Sequence, residues 1–154
     1  MPEGSLLYNT ANRGHTTALA TLLAEGADPS WTDSFGLSPL LIAARKGHLK
    51  CCRHLIAAGA VVDSATCTGE TPLMAAAKAN NDCCVITLLE AGADVRRSDN
   101  DQRTALDLCE RRFVRTRQVL QSWEEALAAA AQVRCCASGV FFLGMRPPHR
   151  LTPP

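Results

Sequence analysis

The side chains best suited to chemistry in this 154-residue sequence are its eight cysteines and four histidines. Thiolates and imidazoles bind zinc, and a thiolate beside a base can act as a nucleophile. Zinc sites, however, place two to four residues between paired ligands, whereas the cysteines here form adjacent pairs such as Cys51-Cys52. Adjacent residues on a helix point about 100° apart and do not chelate one ion easily. We therefore predict a core role for the cysteines, with a metal cluster of His48, Cys51, Cys52 and His54 as the alternative.

The sequence contains no motif that indicates catalysis. It has no glycine-rich phosphate loop, no serine nucleophile elbow and no His-Glu-x-x-His zinc helix. His15 and His48 follow glycines, and no acid or nucleophile recurs beside them, so we interpret both as turn-capping residues. We predict that the chain is not an enzyme and that it uses neither a cofactor nor a metal.

Composition and charge exclude several other classes of protein. Hydrophobic residues make up 47% and charged residues 20%, which is typical of a folded domain, and the net charge of +1 gives no field that favours nucleic acid or membrane. No run of apolar residues is long enough for a membrane span, and residues 1–5 lack the pattern of a secretory signal. We therefore expect an intracellular protein, cytoplasmic or nuclear, with reduced thiols and without nucleic acid or membrane as its partner.

The elements that must position any functional side chain recur with a period of 33 residues. Three tripeptides keep this spacing: Gly26-Ala27-Asp28, Gly59-Ala60-Val61 and Gly92-Ala93-Asp94. One leucine returns in all four copies: Leu7, Leu40, Leu73 and Leu106. Such a period predicts stacked copies of one small supersecondary unit.

Within each unit the residue types predict two short helices. Ser38 and Thr71 are N-cap hydroxyls, and each precedes a proline at the first helical position, where its missing N–H costs nothing. Gly47 ends the first helix, because glycine tolerates the left-handed conformation that closes a helix. A second helix over 49–58 and a turn or hairpin over 60–69 complete the unit.

The combination of Thr71-Pro72-Leu73, paired alanines, Gly-His and a closing Gly-Ala-Asp at this period resembles the ankyrin repeat. The resemblance covers about residues 5 to 125 and implies an all-α solenoid of helix-turn-helix units with short hairpins between them. It also implies a non-enzymatic module or adaptor that binds proteins. We place an ankyrin-repeat domain over 1–133, with units at about 5–31, 32–64, 65–97 and 98–133, and an irregular tail over 134–154.

The sequence departs from the family pattern at defined positions. The histidine that follows Thr-Pro-Leu in the family is Leu41, Met74 and Asp107 here, so we expect its hydrogen bond to the cap hydroxyl to be absent. The fourth unit has Gln102 in place of glycine, and we expect it to continue into a long capping helix that ends near Val133. Its apolar helical stripe consists of Val119, Leu120, Trp123 and Leu127.

Two further hypotheses concern the cysteines. Cys51 and Cys84 share a repeat position with Ala18, which predicts a small buried side chain rather than a ligand. Cys135 and Cys136 precede an apolar run, so an alternative function is a membrane-tethered adaptor that is S-acylated on these two residues. A flexible tail, or one folded back over the last helix, is the other interpretation of this segment.

Under the family geometry, the hairpin tips and the first helices line a concave face. We expect cations at the end of each first helix, so that they recur about one repeat apart. They form either a row that binds a partner or ordinary solvated helix ends. Phe35 and Leu37 are apolar where a turn should be polar, and Trp31 beside them serves either an interface or packing. The predicted partner-binding residues are Phe35, Leu37, Arg45, Lys46, Glu70, Lys78, Arg103, Arg111 and Arg112. The acidic tips beside cations favour a protein partner of mixed or acidic charge.

Overall fold

The computed structural model describes residues 3–111 and 113–136, and these residues form four pairs of helices. The helices are α1 (Glu3–Arg13), α2 (Thr16–Ala24), α3 (Pro39–Lys46), α4 (Leu49–Ala57), α5 (Pro72–Lys78), α6 (Asp82–Glu90), α7 (Ala105–Leu108) and α8 (Val114–Cys136). The first helices α1, α3, α5 and α7 pack in order as one layer, and α2, α4, α6 and α8 form the second layer. The predicted all-α solenoid is confirmed.

The residues that were predicted to start and stop the helices do so. The Ser38 hydroxyl accepts a hydrogen bond from the Leu41 N–H at 3.1 Å, and the Thr71 hydroxyl accepts one from the Met74 N–H at 3.3 Å. Gly47 closes α3 with a left-handed φ of 78°. Local sequence therefore sets the boundaries of the first helices, because each cap satisfies backbone groups that the helix leaves without a partner.

One expectation about the caps is wrong in the fourth unit. The Thr104 hydroxyl donates to Asp107 Oδ2 at 2.8 Å, and the same carboxylate accepts the Thr104 backbone N–H at 2.9 Å. Asp107 thus forms a capping box and makes the bond to the cap hydroxyl that was expected to be lost. The bond lowers the pKa of Asp107, chiefly because the backbone N–H of Thr104 stabilises the carboxylate.

Side chains in the inter-helix turns join each unit to the unit before it. His48 Nε2 lies 3.2 Å from the Asn12 carbonyl oxygen. Asn81, at the next repeat of the same position, donates from Nδ2 to the Ala44 carbonyl at 2.8 Å. His48 precedes α4, but its side chain makes no capping hydrogen bond to that helix, so the interpretation of the ring as a turn cap is corrected: the ring bonds across units instead.

The segments between units form hairpin tips, which we define as residues 33–37, 66–70 and 99–103. In the described part of the chain a single isolated β-bridge, between Ser98 and Thr104, flanks the last of these tips. The Phe35 carbonyl accepts the Cys67 N–H, and the Thr68 carbonyl accepts the Asn100 N–H, both at 3.0 Å. Successive tips are therefore stacked in register, so equivalent side chains lie about 10 Å apart, the spacing of packed helices.

This stacking explains why Gln102 replaces glycine only in the last tip. A Cβ at Gly69 would lie 2.9 Å from the backbone N of Asn100 in the next tip. Gly69 has a φ of 81°, and Gln102 has a φ of 62°, in the region that disfavours ordinary side chains. Position 69 thus imposes both a steric and a conformational requirement on its residue. Position 102 imposes only the conformational one, because no further tip packs on it within the described residues.

We expect Gln102→Gly to raise the free energy of unfolding by about 0.5 kcal/mol, since relief of the left-handed strain exceeds the entropy that glycine adds to the unfolded chain. Gly69→Ala should lower it by more than about 1 kcal/mol, because strain and collision with the next tip add together. Urea unfolding followed by circular dichroism measures both. Equal effects of the two substitutions would contradict the stacking argument.

The two ends of the solenoid differ from its middle. Leu120 is fully buried, but Leu127 is 42% exposed, so the predicted apolar stripe is wrong at its last member. The reason is length: α8 has 23 residues against nine in α6, so it extends beyond the helix on which it packs. Ala18 is exposed, unlike Cys51 and Cys84, because the described residues include no unit that packs on this side of the first one.

The last helix ends at Cys136, three residues after the boundary at Val133 that the sequence suggested. The predictions for Arg112 and for the tail over 137–154 lie outside the described residues, and so do the side chains of Cys135 and Cys136. The domain boundaries and the acylation hypothesis stay predictions. No helix of the described segments combines the length and apolarity that crossing a bilayer requires.

Candidate functional site

A polar pocket of about 260 Å³ lies between the hairpin tips that precede α5 and α7. It brings together three of the predicted partner-binding residues, Glu70, Lys78 and Arg103, which belong to two different units. Leu108, at the end of α7, contributes an apolar side chain to the same pocket. The pocket forms because the tips are stacked, so that a side chain of one tip faces the tip and first helix of the next unit.

Hydrogen bonds hold the last tip of this pocket in one conformation. Asp99 is buried, and its Oδ1 accepts the backbone N–H groups of Asp101 and Arg103, each at 2.9 Å. The Arg103 guanidinium donates from Nε to Asp99 Oδ2 at 3.0 Å and lies 2.7 Å from Asp101 Oδ2. Arg103 therefore has two carboxylate partners within its own tip, and its charge is largely neutralised there.

These contacts lower the pKa of Asp99, first because the backbone N–H of Arg103 bonds its carboxylate and then because the guanidinium does. The pKa of Arg103 is raised, chiefly by the same hydrogen bond to Asp99. A group with a lowered pKa in the folded state stabilises the fold while it is ionised. The Asp99 contribution is thus complete above its unfolded pKa of about 4 and is lost as the pH falls from that value through the lower pKa of the folded state.

We expect Asp99→Asn to make the free energy of unfolding less dependent on pH in the acidic range. The free energy of unfolding of the original chain should exceed that of the variant by a constant amount above about pH 5, and the difference should shrink below about pH 4. Urea titrations at a series of pH values measure this difference. Asn100→Ala, which removes no titratable group, is the control. Parallel profiles for Asp99→Asn and the original chain would show that the carboxylate is not stabilised by folding.

The other predicted residues occupy equivalent positions in neighbouring units rather than this pocket. Leu37, Glu70 and Arg103 share one repeat position, and the cations share another: Arg45, Lys78 and Arg111. Phe35 is 64% exposed at the first tip, and Leu37 beside it is half-buried. Trp31, in contrast, packs edge-on against Tyr8 with ring centroids 6.4 Å apart, so it serves packing in the first unit.

The cations at the ends of the first helices differ from Arg103 in their pairing. Within residues 3–111 and 113–136 the ion pairs join Arg103 to its own tip and Arg115 to Asp82 at 3.0 Å. No ion pair among these residues uses Arg45, Lys46 or Lys78, all of which are exposed. Their charges therefore face solvent.

The cysteines divide into two groups. Cys51, Cys52, Cys84 and Cys109 are buried, as predicted, whereas Cys67 and Cys83 are exposed and do not belong to the core. The pKa of Cys52 is raised, first by its hydrogen bond with Cys84 and then by burial. Burial likewise raises the pKa of Cys109. The raised pKa values keep the Cys52 and Cys109 thiols protonated, a form that neither attacks nor binds metal readily. In the described part of the chain, no three His, Cys, Asp or Glu side chains are grouped to hold a metal.

Sequence reasoning missed Asp99, Asp101 and Leu108 as pocket residues. The sequence contains a signal for Asp99, because an aspartate, Asp33, occupies the same repeat position. In the structure Asp33 likewise accepts the N–H groups of its own tip, at 2.9 and 2.8 Å. No comparable signal exists for Leu108, whose equivalents Ile42 and Ala75 are buried. It lines the pocket because α7 is only four residues long.

Comparison with known proteins adds one match. A family model described as ankyrin repeats (3 copies) matches residues 7–99 and 55–112. Together these matches include all three hairpin tips and the pocket between the last two, but not α8. No curated protein matches the chain.

Proposed function

The chain belongs to the ankyrin-repeat family, and from that premise we propose that it is a non-enzymatic adaptor that binds a protein partner through its tips and first helices. Ankyrin repeats are generally protein–protein interaction modules and are typically not catalytic. The proposed binding face consists of Phe35, Leu37, Arg45, Lys46, Glu70, Lys78, Arg103, Arg111 and Arg112. Of these, Arg103 acts mainly by holding its own tip, since Asp99 and Asp101 already pair with it.

The observation that carries the proposal is the pocket shared by Glu70, Lys78 and Arg103. Charged side chains of two units that converge on one opening offer a partner several directed contacts at once. Lys78 is exposed and Glu70 is half-buried, so both remain accessible to a binding segment. A flat run of solvated helix ends would not create such an opening.

The fixed conformation of the proposed binding face also supports binding. Hydrogen bonds within the tips, such as those to Asp33 and Asp99, fix their conformation before any partner arrives. Bonds from His48 and Asn81 hold adjacent units together. Association loses less conformational entropy when the binding surface is ordered in advance, so a given set of contacts yields a higher affinity.

Affinity capture from a native lysate tests this proposal. The immobilised full chain should retain a protein in a saturable manner, and retention should fall as salt is raised, because exposed cations contribute to it. Beads that carry an unrelated protein of similar size give the background. Retention that does not exceed this background would contradict the proposed function.

A further inference from the structure

We propose that the segment recognised by this face is an acidic stretch of protein with one large apolar side chain near its end. The inference deepens the proposed function and rests on it. The apolar side chain binds at Phe35 and Leu37, and the acidic side chains follow the cations Arg45, Lys78 and Arg111. The inference rests on a difference between carboxylates and cations on the face. Most of the carboxylates already accept hydrogen bonds or ion pairs within the tips, whereas most of the cations have no ion pair among the described residues.

The carboxylates of the tips are engaged in local structure. Asp33 Oδ1 accepts two backbone N–H groups of its tip, and Asp99 accepts two in the last tip together with the guanidinium of Arg103. Asp101 pairs with the same guanidinium at 2.7 Å. Two tip carboxylates, Asp33 and Glu70, have no ion pair within the described residues, and of these only Asp33 is engaged by hydrogen bonds to its side chain.

The cations in the last turns of α3 and α5, together with Arg111, show the opposite pattern. Arg111 was expected at the end of a first helix, but it follows α7, which already ends at Leu108. Arg45, Lys46, Lys78 and Arg111 are exposed, and the ion pairs within the described residues leave all four unused. These four cations outnumber the two tip carboxylates without an ion pair among the described residues, Asp33 and Glu70. Such an excess attracts an acidic segment and repels a basic one, even though the net charge of the whole chain is only +1.

The stacked tips change character from one unit to the next. The third residue of the successive tips is Phe35, Thr68 and Asp101. The last residue of the same tips is Leu37, Glu70 and Arg103. An apolar pair, of which Phe35 is exposed and Leu37 half-buried, thus lies at one end of the row, and the ion-paired cluster of Asp99, Asp101 and Arg103 lies at the other. A partner's apolar side chain gains most at the Phe35 end, because burying it there removes apolar surface of both molecules from water.

Spacing defines the partner segment further. Equivalent positions lie about 10 Å apart in packed repeats, and an extended chain advances about 3.3 Å per residue. In an extended segment of polyproline II type, which has three residues per turn, every third side chain points to the same face, so one side chain meets each successive cation. Nucleic acid fits less well, because Glu70 and Asp101 interrupt the cation row and would repel a continuous line of phosphates.

Fluorescence anisotropy with labelled synthetic peptides tests the inference. The probe is an extended peptide of about 12 residues with one Phe near its end and Glu at every third position. Matched probes replace Glu by Gln, replace Phe by Ser, or are an oligothymidylate of similar length. We expect the acidic peptide to bind at least about tenfold more tightly than its Gln counterpart and than the oligothymidylate.

Variants of the full chain locate the contacts. Arg45→Glu with Lys78→Glu should weaken the acidic peptide about tenfold or more, while the matched control Lys50→Glu with Arg53→Glu, on α4 in the second layer, should not. Phe35→Ala should weaken the Phe peptide severalfold and leave the Ser peptide unchanged. Circular dichroism verifies that each variant is folded.

Several outcomes would overturn the inference. These are equal affinity for Glu and Gln peptides, tighter binding of the oligothymidylate, an equal loss in the Lys50/Arg53 control, or no peptide binding with a Kd below about 1 mM. If any of these occurs while lysate capture still retains a protein, the acidic partner is wrong and the proposed function stands. If capture also fails, both are wrong.

Discussion

Reversing two cations of the proposed binding face, Arg45→Glu and Lys46→Glu, is expected to weaken partner capture at least about tenfold, equivalent to about 1.4 kcal/mol. Both side chains are exposed at the end of α3, and no ion pair among the described residues uses them. In the variant, carboxylates would face the acidic groups of the partner, and like charges brought together at an interface are costly. Quantitative capture at a series of lysate concentrations measures the change.

The same unit supplies the control. Lys50→Glu with Arg53→Glu changes the net charge by the same amount on exposed positions of α4, which lies in the second layer. Because cations near a helix end also offset the helix dipole, the α3 variant should lose up to about 1 kcal/mol of unfolding free energy per residue, which urea unfolding monitors. If both variants capture the partner equally well, the α3 cations are merely solvated helix ends.

Leu88→Ala is expected to cause the largest loss of stability, about 2–5 kcal/mol. The side chain is fully buried on α6, and α6 packs between α4 and α8 in the second layer. Truncation leaves a cavity at an interface that three units share, and in a solenoid the interfaces between neighbours carry much of the stability. The expected loss is a large fraction of the 5–15 kcal/mol that is usual for a domain.

Leu127→Ala makes the same chemical change on a side chain that is 42% exposed on the projecting part of α8. It should alter the free energy of unfolding by less than about 0.5 kcal/mol. Urea unfolding of the two variants, fitted with a common slope, measures both values. A loss for Leu127→Ala as large as that for Leu88→Ala would mean that α8 continues to pack along its whole length.

The sequence predicted the local structure of this protein well where neighbouring residues decide it. Ser38 and Thr71 cap their helices as expected, because a cap needs only a hydroxyl and the N–H three residues later. The burial of Cys51 and Cys84 followed from the repeat, since equivalent residues meet equivalent neighbours. Ala18 failed the same inference because, within the described residues, nothing packs on that side of the first unit.

The candidate site was only partly predictable. Glu70, Lys78 and Arg103 were chosen for their charge and repeat position, but their convergence on one pocket depends on how the tips stack. The pairing of Arg103 with Asp99 and Asp101 was not visible in the charge pattern, because alternating charges in a turn are equally compatible with solvation. Leu127 and Leu108 show the same limit: helix length, rather than residue type, determines their surroundings.

By itself, then, the sequence determined the repeat, its period and the starts of the first helices, since each depends on residues close together in the chain. Tertiary structure alone decided which charges are already paired and which face solvent. The physical reason is that an ion pair depends on separations of a few ångströms between side chains of adjacent tips and helices. Such separations follow from the packing of one unit on the next, and a period of 33 residues does not encode them.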